Sequence, residues 1–217
     1  MRSRQMLGAI ACILLAATPL TAQLRVAVVV GASAGDWSLS TGTSEGQQSI
    51  TAPAAGLSFG VKADAALSLQ PEVLYVNKGS SLIFGGNVRI DFRVHYLELP
   101  LLLKFSVANT GTVRPYLLVG PELGIRAACS TRATNSPANG GEVFVEPCTS
   151  GFNGSIVQDE PDRFDTGVMF GAGVTVGRFS GSVRYDRGLA DIFSRYRTSS
   201  SETTRNSTWL ALVAVRL

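Results

Sequence analysis

Residues 167–189 read GVMFGAGVTVGRFSGSVRYDRGL. Val168, Phe170, Ala172, Val174 and Val176 fall on one parity, and Gly167, Gly171, Gly173 and Thr175 on the other. After Gly177-Arg178 the pattern resumes, with Phe179, Val183, Tyr185 and Leu189 set against Ser180, Ser182, Arg184 and Asp186. Successive side chains of a strand point to opposite faces, so the stretch predicts two strands, each apolar on one side, joined by a tight turn.

The same alternation recurs outward from this hairpin until it makes eight segments. Leu57, Phe59, Val61, Ala63 and Ala65 oppose Ser58, Gly60, Lys62 and Asp64; Leu67, Leu69, Val73 and Tyr75 oppose Ser68, Gln70 and Glu72. Leu117, Val119, Leu123 and Ile125 oppose Tyr116, Gly120, Glu122 and Arg126. At the far end Trp209, Ala211, Val213, Val215 and Leu217 alternate with a second face that is itself largely apolar. Two segments are less regular. Leu24, Val26, Val28 and Val30 share a face while Ala27 and Val29 blur the other, and residues 90–107 change phase, from Ile90, Phe92, Val94 and Tyr96 to Leu97, Leu99, Leu101, Leu103 and Phe105. A bulge near Tyr96 and Leu97 would reconcile the two phases, and so would a strand whose outer half has left a membrane. Sustained helical spacing is missing throughout, so the fold class is all-β.

The connections alternate strictly between long and short: about 35–55 long, Ala65-Ala66 short, Gly79–Val88 medium, Ala108–Thr112 short, Ala128–Arg163 very long, Gly177-Arg178 short, Asp191–Asn206 long. An up-and-down array then carries its tight turns at one end and its large loops at the other, as outer-membrane barrels do. The expectation is an eight-stranded antiparallel up-and-down transmembrane β-barrel with the apolar stripe of each strand facing lipid. Its interior would hold small residues and charges of both signs, namely Lys62, Asp64, Glu72, Glu98, Lys104, Glu122, Arg126, Arg184 and Asp186. The chain has three lysines, few for a well-solvated soluble exterior. Trp37, Tyr75, Phe105, Tyr116, Phe164, Phe179, Phe193 and Trp209 fall near segment ends, where interfacial aromatic girdles would sit.

Composition bounds the rest. Among 217 residues only 16% are charged, at a formal net charge of +3. Arg2 and Arg4, the apolar run Leu7–Ala17 and the small-residue site Pro19-Leu20-Thr21-Ala22 read as a signal peptide over 1–22, leaving the barrel domain at 23–217. Without those two arginines 17 basic residues face 16 acidic ones, so no electrostatic footprint for nucleic acid remains. The two mature cysteines, Cys129 and Cys148, are expected to pair in an oxidising compartment and to staple a loop rich in Thr, Asn, Ser, Gly and Pro. No further Cys or His stands near them to make a metal site, and no cofactor is expected.

Tyr96-Leu97-Glu98-Leu99-Pro100-Leu101-Leu102-Leu103-Lys104-Phe105, then Arg114-Pro115-Tyr116-Leu117-Leu118-Val119-Gly120-Pro121, resembles the bacterial outer-membrane β-barrel domain family to which PorT belongs, often labelled the porin family. Gly171-Ala172-Gly173-Val174 and Val183–Leu189 are similar to that family's sixth and seventh strands. The resemblance spans about 24–217. It implies an eight-stranded barrel in the bacterial outer membrane with no catalytic residues, in contact with outer-membrane lipid and the barrel-assembly machinery, with an extracellular or secretion-system protein as partner. The chain departs from the family in ending Val215-Arg216-Leu217 rather than on an aromatic residue.

His95, the sole histidine, could serve as the base of a lipid-modifying enzyme, but no Ser or Asp is spaced to share its work. Gly171-Ala172-Gly173 opens no helix and is no phosphate cradle; its glycines would relieve crowding inside a barrel. Asn153-Gly154-Ser155 and Asn206-Ser207-Thr208 read as loop chemistry. Eight strands enclose a space just wide enough for side chains, so a salt-bridged plug is expected rather than a channel, which takes about 16. The resulting expectation is a non-enzymatic barrel whose long extracellular loops serve a structural, adhesive or partner-binding role. The alternatives are a lipid-modifying enzyme using His95 and a secreted lipocalin-like barrel holding an apolar ligand.

Overall fold

The computed structural model of the chain describes residues 24–39, 46–84, 88–107, 111–135, 141, 143–148, 161–193 and 203–217; the signal peptide expected over 1–22 and the Asn153 site lie outside the described residues. Among the described residues alternation becomes ten strands: β1 Arg25–Leu39, β2 Gln47–Lys62, β3 Leu67–Asn77, β4 Ser80–Phe84, β5 Val88–Ser106, β6 Val113–Asn135, β7 Val143–Pro147, β8 Phe164–Val176, β9 Phe179–Gly188 and β10 Thr204–Arg216. The β8–β9 hairpin closes at Val176↔Phe179, with Gly177 in the left-handed region at φ 59° that a tight turn needs.

All neighbours are antiparallel, and the order β1-β2-β3-β5-β6-β8-β9-β10 returns to β1, so eight staves make a closed ring. The two remaining strands extend it at the long-loop end. β4 pairs with β2 and β5 directly beyond β3, and Asn77↔His95 and Ser80↔Phe92 keep one register. β3 and β4 are therefore one stave interrupted at Lys78-Gly79, where a medium loop was expected. β7 adds to the outer part of β6. The long connections are correspondingly shorter than expected, because β1 and β2 run to Leu39 and from Gln47. The expected loop site Asn206-Ser207-Thr208 lies within β10, with Asn206 buried in the interior, because strand pairing to β9 and β1 reaches that far.

The facing follows the parity. Leu57, Leu101, Leu117, Val174 and Trp209 are exposed on the outside, from 42% to 61%, while Leu74, Glu98 and Asp186 are 0% exposed within. A soluble barrel would have the reverse, so the lipocalin-like arrangement does not hold. On β10 the ambiguous second face, Leu210 and Leu212, points inward. β5 keeps even residues inside along its whole length, from Phe92 and Val94 to Glu98 and Leu102, so its phase change is not a side-flip. The one-residue register shift at His95/Tyr96 leaves Ala127 of β6 as the extra residue, and the bulge is on β6. What changes along β5 is chemistry, because its outer half stands beyond the apolar belt. Tyr75, Phe105, Phe164, Phe179 and Trp209 are exposed as a girdle requires, but Trp37 and Tyr116 are buried inside and Phe193 packs against the inner aromatic cluster. Outside, Phe170, Tyr185 and Trp209 form a cross-strand row with centroids 5.4 and 4.9 Å apart.

Replacing Leu101 by Arg puts a charge on the lipid face, and the expected loss is about 2–4 kcal/mol of folding stability, read by urea unfolding in phosphatidylcholine vesicles. A variant as stable as the wild type would mean that this face does not meet hydrocarbon.

Candidate functional site

The lumen is built in layers by inward residues two apart on each strand. Nearest the short-turn end, Arg184 of β9 holds Glu72 of β3 through two parallel bonds, Nη1 to Oε2 at 2.5 Å and Nη2 to Oε1 at 3.2 Å, and Gln70 donates to Glu72 at 2.6 Å. Gly171 and Gly173 leave room beside them: a Cβ on Gly171 would stand 2.8 Å from Arg184 Cγ, and one on Gly173 would run into the Tyr116 ring. The expectation that these glycines relieve crowding is met at these two contacts. Next comes an apolar layer with Val29, Leu74, Leu102, Leu118, Met169, Leu210 and Leu212 fully or almost fully buried.

Above it sits a lysine among carboxylates. Lys78 Nζ lies 3.0 Å from Glu98, 2.6 Å from Glu122, 3.2 Å from Asp165 and 2.6 Å from Asp186, and all five side chains are 0% exposed. Asn206 donates to Asp165 at 2.8 Å. Lys78 stands at the break between β3 and β4, on the inward parity of Glu72, Leu74 and Val76. There the backbone turns its carbonyls across the lumen: Ser33 donates to Asn77 O at 3.2 Å, and the Trp37 indole to Lys78 O at 3.1 Å. β1 passes close enough that a Cβ on Gly35 would come within 2.9 Å of Lys78 Cα. Carboxylate oxygens of Glu98, Glu122 and Asp186 lie within 4.8 Å of one another, a spacing a cation could bridge, and the Lys78 ammonium stands there, hydrogen-bonded to Glu122 and ion-paired with Glu98 and Asp186. An aromatic and aliphatic cap closes the layer above: Trp37, Phe92, Val94, Tyr96 and Ile192, with Trp37 5.2 Å from Phe92 and edge-on to Phe193 at 5.5 Å.

Of the nine charges expected inside, Glu72, Glu98, Glu122, Arg184 and Asp186 are buried in the lumen. Arg126 is half-buried on the same parity, and Lys104 is half-buried with its Nζ 3.7 Å from the Tyr116 ring centroid. Two expectations are corrected. Lys62, paired with Ser68 of β3, is the last residue of β2 and is exposed at the mouth of the barrel rather than sealed within it. Asp64 is not in a strand: it is exposed in the β2–β3 turn, where its carboxylate accepts from Ala66 and Leu67 N–H at 2.6 and 2.7 Å, bonds that hold it below the usual carboxylate range. Sequence reasoning missed Lys78 and Asp165, although each lies on the inward parity of its strand, Lys78 with Glu72 and Asp165 with Gly167.

His95 lies on the outer side of β5, stacked on Tyr75 at 5.3 Å, and its Nδ1 has no hydrogen-bond partner among the described residues. Among the described residues no acid or nucleophile is assembled on it there. The long-loop end carries instead a ridge in which β6 continues to Asn135 and β7 pairs with it from Ser130↔Pro147 to Thr134↔Val143. The expected disulfide joins Cys129 to Cys148 at the base of this ridge, Cα atoms 5.4 Å apart, with a backbone bond from Cys148 N to Cys129 O beside it. Val143, Phe144 and Val145 are 46–57% exposed along β7.

A sequence model of the family described as outer membrane protein beta-barrel domain matches residues 18–194. No curated protein matches the chain. Among solved structures it is similar to Neisserial surface protein A, at 15% identity over 88% of this chain and 97% of that one with a TM-score of 0.45. It is similar too to the outer membrane protein OprG of Pseudomonas aeruginosa, at 10% identity over 90% and 97% with a TM-score of 0.44. A third is Ail, the attachment invasion locus protein of Yersinia pestis, solved with the heparin analogue sucrose octasulfate, at 11% identity over 89% and 99% with a TM-score of 0.42.

Lys78→Met strands four buried carboxylates, and the expected cost is about 3–5 kcal/mol by urea unfolding in vesicles. Lys104→Met removes a half-buried ring contact and is expected to cost roughly 0.5–1 kcal/mol in the same assay. Similar losses from the two would refute a central role for Lys78. The double variant Cys129→Ser, Cys148→Ser is expected to keep the heat-modifiable gel migration of a folded barrel while its ridge is cut faster by added protease, because the crosslink removes about 3 kcal/mol of loop disorder in the chain-entropy model.

Proposed function

The chain belongs to the outer membrane protein beta-barrel domain family, and on that premise we propose a non-conducting, non-enzymatic barrel whose work is done by the surface it holds outside the cell. The protein resides in the bacterial outer membrane. The observation that carries the reading is the blocked lumen: the Lys78 cluster spans it between an apolar layer on one side and an aromatic cap on the other. A solute would have to part both an ion cluster and close-packed side chains. With the interior filled, what is left to act is the extracellular ridge of β6 and β7, stiffened by the disulfide and edged with exposed Val143, Phe144 and Val145. A stiff sheet edge with exposed apolar side chains suits structural, adhesive or partner-binding duty, since strand edges and apolar patches both favour protein contacts.

Two measurements test this together. Refolded protein in planar bilayers is expected to give no steady openings of porin size; such openings would overturn the blocked lumen. Replacing 130–147 by a short Gly-Ser turn is expected to leave heat-modifiability intact and to abolish adhesion of cells displaying the barrel to one another and to protein-coated surfaces. If the shortened barrel adheres as well as the full one, the ridge is not the working surface.

A further inference from the structure

At the periplasmic, short-turn end the lumen opens into a cavity of about 480 Å³, within the range of roughly 300–1,000 Å³ usual for small-molecule sites. Its walls carry Arg25, Lys62, Lys104, Arg114, Arg178 and Arg216, with Arg184 at the floor, and among the described residues that line it none is Asp or Glu. The nearest acid below the floor, Glu72, is already committed to Arg184 in a two-bond pair. Asp64, on the same rim, spends its carboxylate on two turn amides. None of the other six cations has an ion pair to a carboxylate among the described residues. Arg178 donates to Arg216 O at 3.2 Å and Arg216 to Gly177 O at 3.4 Å, which steadies their position without neutralising them, and Lys104 rests on the Tyr116 ring.

Six cations without a carboxylate ion pair among the described residues stand around one small cup and repel one another, and an anion that enters relieves that repulsion. One carboxylate would meet few of them. Five of the seven cationic groups are guanidinium forks, whose planar donors match phosphate oxygens two at a time, and Ser58, Ser106 and Ser180 add hydroxyl donors on the same walls. We infer that this vestibule binds a ligand carrying two or more phosphate groups. The inference is independent of the ridge, which lies beyond the Lys78 layer at the opposite end.

The test is calorimetric titration of pyrophosphate into the full refolded barrel in zwitterionic detergent. Saturable one-site binding that weakens as salt is raised is expected. Arg25→Gln with Arg114→Gln should weaken it about tenfold or more, because bonds to charged groups are lost. Arg163→Gln, exposed at the far end over Phe164, should bind as the wild type does. Should the double variant not show heat-modifiable folding, Arg178→Gln on the exposed rim replaces it, with a smaller weakening expected. Absence of binding, equal binding by the rim variants, or equal loss in Arg163→Gln overturns the inference. Repeating the titration in nanodiscs separates the sources. Binding seen in phosphatidylcholine discs and in phosphatidylglycerol discs but blocked in cardiolipin discs, whose headgroup carries two phosphates, assigns the site to lipid headgroup phosphates; equal binding in all three assigns it to soluble phosphates.

Discussion

Hydrocarbon offers a backbone no hydrogen bonds, so a chain that crosses it in strands must pair every amide within its own sheet, and the seam between β1 and β10 completes that pairing. Much else in the structure follows from this closure. A ring has an inside and an outside, which is why alternation of period two carries so much weight along this chain. Eight staves also fix the bore, and a bore that narrow is filled by side chains rather than water. The glycines of β8 show how tight the fit is, since Gly171 and Gly173 stand where Arg184 and Tyr116 need the space of a missing Cβ.

The filling is of two kinds, and each limits the other. Apolar residues such as Leu74, Leu118 and Met169 pack without any need for partners. The acidic side chains of the layer above would be costly to bury singly, and gathering four of them around one ammonium at 2.6–3.2 Å offsets part of that cost. At Lys78 the β3–β4 stave breaks, and a break leaves carbonyls that need other partners. Ser33 and Trp37 supply the donors, and Gly35 supplies the room. Trp37 therefore serves twice, satisfying the backbone at Lys78 and packing with Phe92 in the cap. The ion cluster and the aromatic cap are one construction.

The ring, the orientation of its faces and most of the interior charges could be read from the sequence because lipid and lumen select residues of opposite character on alternate positions. Reading failed where a second rule was superposed. Lys78 and Asp165 continue the inward parity of Glu72 and Gly167, but Asn77-Lys78-Gly79 also has the composition of a turn, and Asp165 borders a loop-like stretch, so local chemistry hid the period. Trp37, Tyr116 and Phe193 read equally well as girdle residues because aromatics at strand ends suit an interface; what places them inside is packing in three dimensions, Trp37 and Phe193 in the cap and Tyr116 at the other end beside Lys104 and Gly173. The bulge at Ala127 leaves no mark in composition, since a single Ala fits either face. Lys62 and Asp64 show the converse error, a period carried past the sealed bore, to the open mouth at the last residue of β2 and into the turn beyond it.

The order of charge along the bore bears on what the barrel can pass even apart from its packing. An anion drawn to the periplasmic vestibule is held by a rim of cations down to Arg184, and then meets Leu102, Leu118 and Leu212 with four carboxylates beyond them. A cation is repelled at the rim before it reaches the carboxylates that would attract it. The two charged layers thus oppose solutes of either sign in turn, and the apolar layer between them opposes both by desolvation. Opening such a lumen would mean separating Lys78 from its four partners and Arg184 from Glu72 in the same event. Those pairs lie on β3, β5, β6, β8 and β9, so the ring itself would have to deform. The ends of the barrel are therefore mechanically joined through the sheet and chemically insulated from one another through the bore.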